Sequence, residues 1–285
     1  MKSGIVAVIG RPNAGKSTLI NALVGQKISI VTNKPQTTRK ITQGVYWDER
    51  GQVIYMDTPG VFAKVKGPVS SKINTAAEEH LSNADLILYL IDHTRYRGDE
   101  ENKVLGIVRQ IGRPKILVLN KTDIKEPDYT YEYKFLEEEF DEWIEISALK
   151  KHNLDQLQEM IFDHLPKGEP LFNPDNYQAF PAINITPKDF ISEIIREKAF
   201  MTLYQEVPYR LGVVVHQLEE KKDIYYINAE ILTTSDHYVP IIIGKDGQTI
   251  KKIGSLARKE LELITNKKVY LDLDVTANPH WVQRL

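Results

Sequence analysis

The fold of the N-terminal half of this chain is decided by the stretch Gly10-Arg11-Pro12-Asn13-Ala14-Gly15-Lys16-Ser17-Thr18. It fits the pattern G-x-x-x-x-G-K-[ST], a loop that cradles nucleotide phosphates. The apolar run 5–9 predicts a buried strand before this loop, and 19–24 predicts a helix after it. Lys16 supplies a cation for the β- and γ-phosphates, and Ser17 offers a hydroxyl to Mg²⁺. The alternative is an ordinary glycine-containing strand-to-helix turn, which the complete pattern in this context disfavours.

The composition is that of an ordinary globular protein. The chain has 285 residues, of which 42% are hydrophobic and 27% are charged, and this length predicts two domains. A net charge of −2 excludes a uniformly basic surface, and the lack of cysteine excludes disulfides and thiolate metal sites. The apolar runs are strand-length and no signal pattern opens the chain, so we expect a soluble cytoplasmic protein.

Two polar stretches follow where a phosphate site would use them. The stretch 32–40 has neither helix nor strand periodicity. Alone it is best interpreted as a solvated loop, although beside a γ-phosphate and Mg²⁺ its threonines suggest an ordering loop. Asp57-Thr58-Pro59-Gly60 follows a predicted strand, 52–56, whose end faces the ligand crevice of a parallel sheet. There Asp57 can hold Mg²⁺ through water and the Gly60 N–H can sense a γ-phosphate.

The next two motifs predict recognition of guanine. Asn120-Lys121-Thr122-Asp123 follows the apolar strand 115–119. The Asp123 carboxylate can accept hydrogen bonds from guanine N1–H and N2–H₂, which adenine lacks, while Asn120 can bond the N7/O6 edge and the stem of Lys121 can lie along the base. The stretch Ser147-Ala148-Leu149 follows a short strand, 144–146, and places the Ala148 N–H for guanine O6.

Strand and helix signals alternate through residues 1–167, which predicts an α/β fold with a mostly parallel sheet covered by helices on both faces. The four motifs, each at a strand end, make this a P-loop GTPase domain. A proline-containing linker, 168–182, follows it.

Residues 183–285 have a different pattern: helix, strand, strand, short helix, G-x-x-G, helix, strand. With Ile241-Ile242-Ile243-Gly244-Lys245-Asp246-Gly247, this order is the layout of an α+β type II KH domain, whose G-x-x-G loop clamps about four single-stranded nucleotides. Residues 244–268 hold seven basic and three acidic side chains, a local charge of +4. A glycine cap before a helix with a solvated basic face is the alternative. The predicted RNA contacts are Ile243, Gly244, Lys245, Asp246, Gly247, Lys251, Lys252 and Arg258.

Over nearly its whole length the chain resembles the bacterial Era family of GTPases. Beyond the motifs above, the resemblance rests on Pro35-Gln36-Thr37-Thr38-Arg39 and on Ser192-Glu193-Ile194-Ile195-Arg196-Glu197-Lys198. It implies GTP and GDP binding, slow GTP hydrolysis, and binding of the 3′ end of small-subunit ribosomal RNA during assembly of the 30S subunit. In this family the threonine before the arginine is a Mg²⁺ ligand, a role that falls here on Thr38.

The resemblance, taken with the motifs, assigns each site residue a role. The predicted catalytic residues are Lys16, Thr38 and Gly60, and the predicted Mg²⁺ site comprises Ser17, Thr38 and Asp57. The predicted nucleotide-binding residues are Gly10, Arg11, Pro12, Asn13, Ala14, Gly15, Lys16, Ser17, Thr18, Asp57, Thr58, Pro59, Gly60, Asn120, Lys121, Asp123, Ser147, Ala148 and Leu149. Val61 stands where Ras-type GTPases orient water with glutamine, which predicts weak turnover, and Asn13 occupies a position that holds K⁺ in related proteins.

We expect a monomer that binds no DNA. The family also associates with the inner membrane face, but no lipid-binding motif in this sequence supports that property. The chain stops soon after Trp281, where family members usually continue with a charged tail, and Ala14 replaces a common valine. Two alternatives are a GTPase subunit of a tRNA-modification system and a nucleotide-dependent scaffold.

Overall fold

A computed structural model describes most of the chain. The residues that it describes are 1–32, 41–58, 81, 83–140, 142–173, 181 and 184–281. Among these, a first compact unit ends at Asn184 and a second begins at Ile185.

Part of the predicted linker belongs to the first unit. The Gly168 N–H donates to the carbonyl of Met1 at 3.1 Å, and the Phe172 N–H donates to Gln52 Oε1 at 2.9 Å. These bonds tie residues 168–173 to the amino-terminal ends of two strands of the first unit's sheet. The functional boundaries 1–167, 168–182 and 183–285 stay a prediction.

The first unit is built on a six-stranded sheet with the spatial order β2-β3-β1-β4-β5-β6. Strand β2 is antiparallel to β3, and the other neighbouring pairs are parallel. The strands are β1 (Lys2–Ile9), β2 (Thr42–Asp48), β3 (Gly51–Asp57), β4 (Leu86–Asp92), β5 (Lys115–Asn120) and β6 (Glu142–Glu145). The described helices are α1 (Lys16–Val24), α2 (Asp99–Gln110) and α3 (Leu154–His164).

The central strands of the sheet account for the continuous apolar runs in the sequence. Every residue of β3 and β4 is buried, as expected for parallel strands covered on both faces. The carboxyl ends of β1, β3 and β5 lie on the same edge of the sheet, and each delivers one of the predicted nucleotide motifs. The predicted α/β fold class is therefore confirmed.

The acidic stretch 136–143 predicts the end of a helix, and the described residues of this segment do not form one. Two short 3₁₀ turns, Thr130–Glu132 and Lys134–Leu136, occupy this region, and β6 already begins at Glu142. Tyr133 and Leu136 are buried in the core beneath these turns. Because long-range packing of these two side chains sets the local conformation, periodicity alone does not reveal it.

The second unit has a three-stranded sheet in the order β7-β8-β9, with β7 antiparallel and β9 parallel to β8. Its elements are α4 (Pro187–Thr202), β7 (Leu211–Lys221), β8 (Ile224–Thr233), α5 (Val239–Ile243), α6 (Gln248–Thr265) and β9 (Lys268–Ala277). This order confirms the predicted α+β type II KH layout. Helix α4 begins at Pro187 because the Thr186 hydroxyl accepts the Asp189 N–H and caps it.

The Ser192–Lys198 run acquires a structural meaning in α4. The Lys198 ammonium donates to Glu197 Oε1 and to Glu260 Oε2 of α6, each at 2.9 Å. The buried residues of helix α6 are Ile253, Ala257 and Leu261, so the rest of its surface is at least partly exposed to solvent.

Within the residues that the structure describes, no helix has both the length and the apolar character needed to cross a bilayer.

Candidate functional site

The phosphate-binding loop is a tight turn between β1 and α1 that depends on its two glycines. Gly15 has φ 103°, and a Cβ at that position would lie 2.3 Å from Asn120 Nδ2. A Cβ at Gly10 would lie 2.3 Å from the carbonyl oxygen of Leu90. Close backbone approach therefore excludes a side chain at either position.

Lys16 is folded back into this loop. Its ammonium donates to the carbonyls of Gly10 at 3.1 Å and Arg11 at 3.0 Å, and the side chain is buried. Burial lowers the pKa of Lys16 to about 8, although the carboxylates of Asp57 and Glu101 partly oppose this shift. A bound polyphosphate would supply the missing negative charge, so this lysine is poised for an anionic ligand.

The predicted Mg²⁺ ligands Ser17 and Asp57 are in contact. The Ser17 hydroxyl donates to Asp57 Oδ2 at 2.6 Å, and Asp57 is fully buried at the end of β3. The Thr58 hydroxyl donates to the Val8 carbonyl at 2.7 Å and fixes the start of the following loop. A hydroxyl and a carboxylate are oxygen donors of the kind that Mg²⁺ prefers, so these residues fit the ion. Three other residues predicted to belong to the nucleotide and Mg²⁺ site, Thr38, Pro59 and Gly60, lie outside the described residues.

The two guanine motifs are hydrogen-bonded to each other and to the phosphate loop. Asn120 Nδ2 donates to the Ala14 carbonyl at 2.9 Å, and Asn120 Oδ1 accepts the Ala148 N–H at 2.9 Å. The Ser147 hydroxyl donates to Asp123 Oδ1 at 2.5 Å. The sequence assigned Asn120 and Ala148 to guanine directly, whereas here they bridge three loops. Leu149 is exposed beside them.

Two residues that the sequence analysis missed hold Lys121. Its ammonium lies 2.6 Å from Oδ2 of the buried Asp92, and its carbonyl lies 3.1 Å from Nε2 of His93. Lys121 has φ 74°, so its backbone adopts an uncommon conformation that these contacts support. A signal was available, because Asp92 ends the buried strand β4 just as Asp57 ends β3.

The side chain of Arg11 points away from the phosphate loop. Its Nε lies 2.6 Å from Glu101 Oε2, and both side chains are buried, with exposures of 3% and 1%. Glu101 Oε1 also accepts the Tyr89 hydroxyl at 2.6 Å. Burial raises the pKa of Glu101, although Arg11 opposes this shift. Arg11 therefore anchors the loop to α2 through a buried ion pair, while its carbonyl remains in the loop.

The G-x-x-G loop of the second unit needs both glycines, for different reasons. Gly244 has φ 75°, and a Cβ there would lie 2.1 Å from Thr249 Oγ1 of α6. Gly247 has φ 73°, but a Cβ there would meet only Lys251, at 3.7 Å. Gly244 is thus required by internal packing, whereas Gly247 borders open space.

The basic side chains predicted to contact RNA are presented on one segment. Lys245, Lys251, Lys252 and Arg258 are exposed, and no ion pair engages them within the described part of the chain. Ile243 is half-buried at the end of α5, next to the glycine loop. The segment therefore combines uncompensated positive charge, an apolar edge and a backbone that a ligand can approach.

Two family models match the two units. A model described as a 50S ribosome-binding GTPase matches residues 5–121, and a KH domain model matches residues 206–281. Each match falls on the unit whose geometry predicts it. Together they leave residues 122–205 unmatched, a segment that includes Asp123 and Ser147–Leu149 of the guanine motifs.

Relatives and solved structures match the chain over nearly its full length. GTPase Era of Borreliella burgdorferi is 40% identical over 99% of this chain and 96% of its own, and GTPase Era of Aquifex aeolicus is 38% identical over 100% and 96%. A crystal structure of an Aquifex aeolicus Era variant bound to GDP·AlF₄⁻ superposes with a TM-score of 0.90. A second, of Era in complex with MgGDPNP and nucleotides 1506–1542 of 16S ribosomal RNA, gives 0.89; both structures are 38% identical and cover 100% of this chain and 96% of theirs. The chain belongs to the Era family of GTPases.

Proposed function

We propose that this chain is a GTP-hydrolysing assembly factor of the small ribosomal subunit that binds the 3′ end of its ribosomal RNA through the second unit. The observation that carries the proposal is the full-length similarity to an Era that holds MgGDPNP and a 16S fragment in one structure. The chain itself supplies a preformed phosphate loop and a basic G-x-x-G segment. It would act in the cytoplasm, with peripheral association at the inner membrane face as a secondary proposal.

In the first unit, Lys16 and the N–H groups at the start of α1 bind the phosphates, while Ser17 and Asp57 hold Mg²⁺. The metal supplies charge neutralisation at the phosphates when it is bound. Asp123 selects guanine because its carboxylate matches two donors that adenine lacks. Asn120 holds the Ala14 and Ala148 backbones, so the phosphate and base halves of the pocket keep one geometry.

Hydrolysis relies on positioning and charge more than on proton transfer by the protein. Val61 has an aliphatic side chain and cannot orient water as a glutamine does. Lys16 stabilises charge that develops on the phosphates, and Thr38 and Gly60 are proposed to complete the site around the γ-phosphate. Asn13 is proposed to help hold a K⁺ ion there. Weak intrinsic turnover follows from this arrangement.

The RNA proposal is tested with a fluorescent oligoribonucleotide of the 16S 3′ end. Gly247→Asp places a charged side chain in open space beside Lys251, so it should repel phosphate and abolish binding. Lys251→Glu with Lys252→Glu gives the same expectation without altering a glycine. Lys222→Glu, an exposed change in the β7–β8 turn, is the matched control. Normal binding by both site variants would refute the RNA site.

A further inference from the structure

An exposed group of aromatic rings lies beside the phosphate loop and has no part in the functions above. It comprises Tyr96, Tyr129 and Tyr131, with Phe135 on the following 3₁₀ turn, and we refer to it as the aromatic patch. Ring centroids are 6.4 Å apart for Tyr96 and Tyr129 and 6.4 Å apart for Tyr129 and Tyr131. Tyr96 and Tyr131 are 65% and 66% exposed, and the guanidinium of Arg97 stacks 4.6 Å from the Phe135 ring. Single exposed aromatics are common, but a contiguous group marks an interaction site.

A cavity of about 420 Å³ opens within this patch. Its walls include Tyr96 and Tyr129, and its rim carries Arg95, Asp99 and Glu100. Arg95 Nη2 lies 3.7 Å from Glu100 Oε2, so this cation is already near a carboxylate. The cavity thus offers two aromatic walls and an excess of one negative charge.

The charges around the patch decide which occupant fits. Asp128 and Glu132 lie in the same segment as the tyrosines, against Arg97 and Lys134, so the excess of negative charge, about −1, comes from Asp99 and Glu100 against Arg95 at the cavity. Arg11, although it reaches the cavity, is neutralised by the buried Glu101. The carboxylates of Asp99 and Glu100 would repel a phosphodiester chain at the cavity. A guanidinium or ammonium group would instead pair with these carboxylates and lie against the faces of the tyrosine rings.

We propose that the aromatic patch and its cavity are a docking surface for a basic protein, which inserts an arginine or lysine side chain between Tyr96, Tyr129 and the carboxylates of Asp99 and Glu100. Tyrosine and arginine dominate the binding energy of protein interfaces, and both are concentrated here. The inference rests on the proposed function for the choice of partner, a basic protein of the assembling small ribosomal subunit.

The docking surface is joined to the phosphate loop by hydrogen bonds from arginine side chains to backbone carbonyls. Arg95 Nη1 donates to the Pro12 carbonyl at 3.2 Å, and Arg11 Nη1 donates to the Tyr96 carbonyl at 3.2 Å. The Tyr133 hydroxyl donates to the Arg95 carbonyl at 2.9 Å. A protein seated on this surface therefore contacts the segment against which the phosphate loop rests, and its binding should change the rate of GTP hydrolysis.

The test measures binding of the full chain to two probes, purified small ribosomal subunits and the protein-free 16S 3′-end oligoribonucleotide. Tyr96→Ala with Tyr131→Ala should weaken binding to subunits by more than about tenfold and leave binding to the oligoribonucleotide unchanged. Asp99→Asn with Glu100→Gln should act in the same direction. Trp143→Ala removes an aromatic side chain that is 42% exposed but lies outside the patch, and it is the matched control.

Two further readouts accompany these affinities. Unchanged GDP affinity and intrinsic GTPase rate show that each variant is folded, and subunit-stimulated hydrolysis should fall with subunit binding. Wild-type affinity of both patch variants for subunits would overturn the docking surface. Equal losses for subunits and naked RNA would also overturn it, because the patch would then contact RNA. If the unaltered chain itself fails to bind subunits, the proposed function fails first.

Discussion

Nucleotide binding should draw a proton from solution at Lys16. In the nucleotide-free protein burial lowers the pKa of this ammonium to about 8, and its hydrogen bonds go to the carbonyls of Gly10 and Arg11. The phosphates of GDP would bring negative charge against the side chain and raise that pKa again. Above pH 8 the free protein must therefore take up a proton as it binds GDP.

The magnitude follows from the pKa. With a value of about 8, roughly three-quarters of the free protein carries a neutral Lys16 at pH 8.5, against roughly a tenth at pH 7. Proton uptake should thus approach ~0.7 per GDP at pH 8.5 and ~0.1 at pH 7, and GDP affinity should fall about fourfold between them.

The lowered pKa of Lys16 also makes the free energy of unfolding of the free protein depend on pH. Because the folded pKa lies below the unfolded one, the unfolded chain binds more protons between about pH 8 and 10.5. The contribution of Lys16 to the free energy of unfolding is least favourable below pH 8 and improves by about 3 kcal/mol towards pH 10.5. GDP should remove this pH dependence by restoring the charge.

Calorimetry in two buffers of different ionisation enthalpy measures the uptake at each pH. Lys16→Arg is the matched control, since a guanidinium stays charged throughout and any protons exchanged by guanine or other groups are common to both proteins. Equal uptake by the two proteins at pH 8.5, or none by the wild type, would refute the assignment of a depressed pKa to Lys16.

Three other predictions address separate parts of the first unit. Asp123→Asn should shift nucleotide preference from GTP towards XTP in competition assays, and retained GTP selectivity would contradict the base-reading role. Glu101→Gln should lower the free energy of unfolding in urea by about 3 kcal/mol because Arg11 stays buried and charged, while the exposed Glu100→Gln should change it by less than about 0.5 kcal/mol; similar losses would argue against the ion pair. Single-turnover hydrolysis should be faster in K⁺ than in Na⁺, and equal rates would remove the ion assigned to Asn13.

The fold was predictable wherever the sequence signal is local. Strands β3 and β4 are buried on both faces, so their apolar runs are continuous and their polar ends stand out. The phosphate loop was predictable because only glycine fits at two of its positions. A Cβ at Gly10 would clash with a backbone carbonyl, and a Cβ at Gly15 would clash with Asn120. The order of elements in the second unit was readable for a similar reason, since α6 carries a strong apolar stripe and its start is fixed by Gly244 and Gly247.

What could not be predicted depends on contacts between segments distant in the chain. The sequence around Asn120 does not indicate that its amide bridges the carbonyl of Ala14 and the N–H of Ala148. The acidic stretch 136–143 suggests the end of a solvated helix, yet Leu136 and the nearby Tyr133 are core residues. In each case the partner lies far along the sequence, and only the folded sheet brings the two together.

These contacts bear on how the site responds to nucleotide. The base side is held together by the protein's own side chains, because Asp92 holds Lys121, Ser147 holds Asp123 and Asn120 ties both to the phosphate loop. On the phosphate side, the Lys16 ammonium is bonded to the carbonyls of Gly10 and Arg11, and above about pH 8 it must also take up a proton when phosphates bind. Guanine recognition is therefore largely preorganised, and the reorganisation that accompanies binding is concentrated on the phosphates. A protein that distinguishes GTP from GDP must change conformation where the phosphates bind. This part of the site lies next to the segment Thr94–Gly98, through which we expect a partner to act.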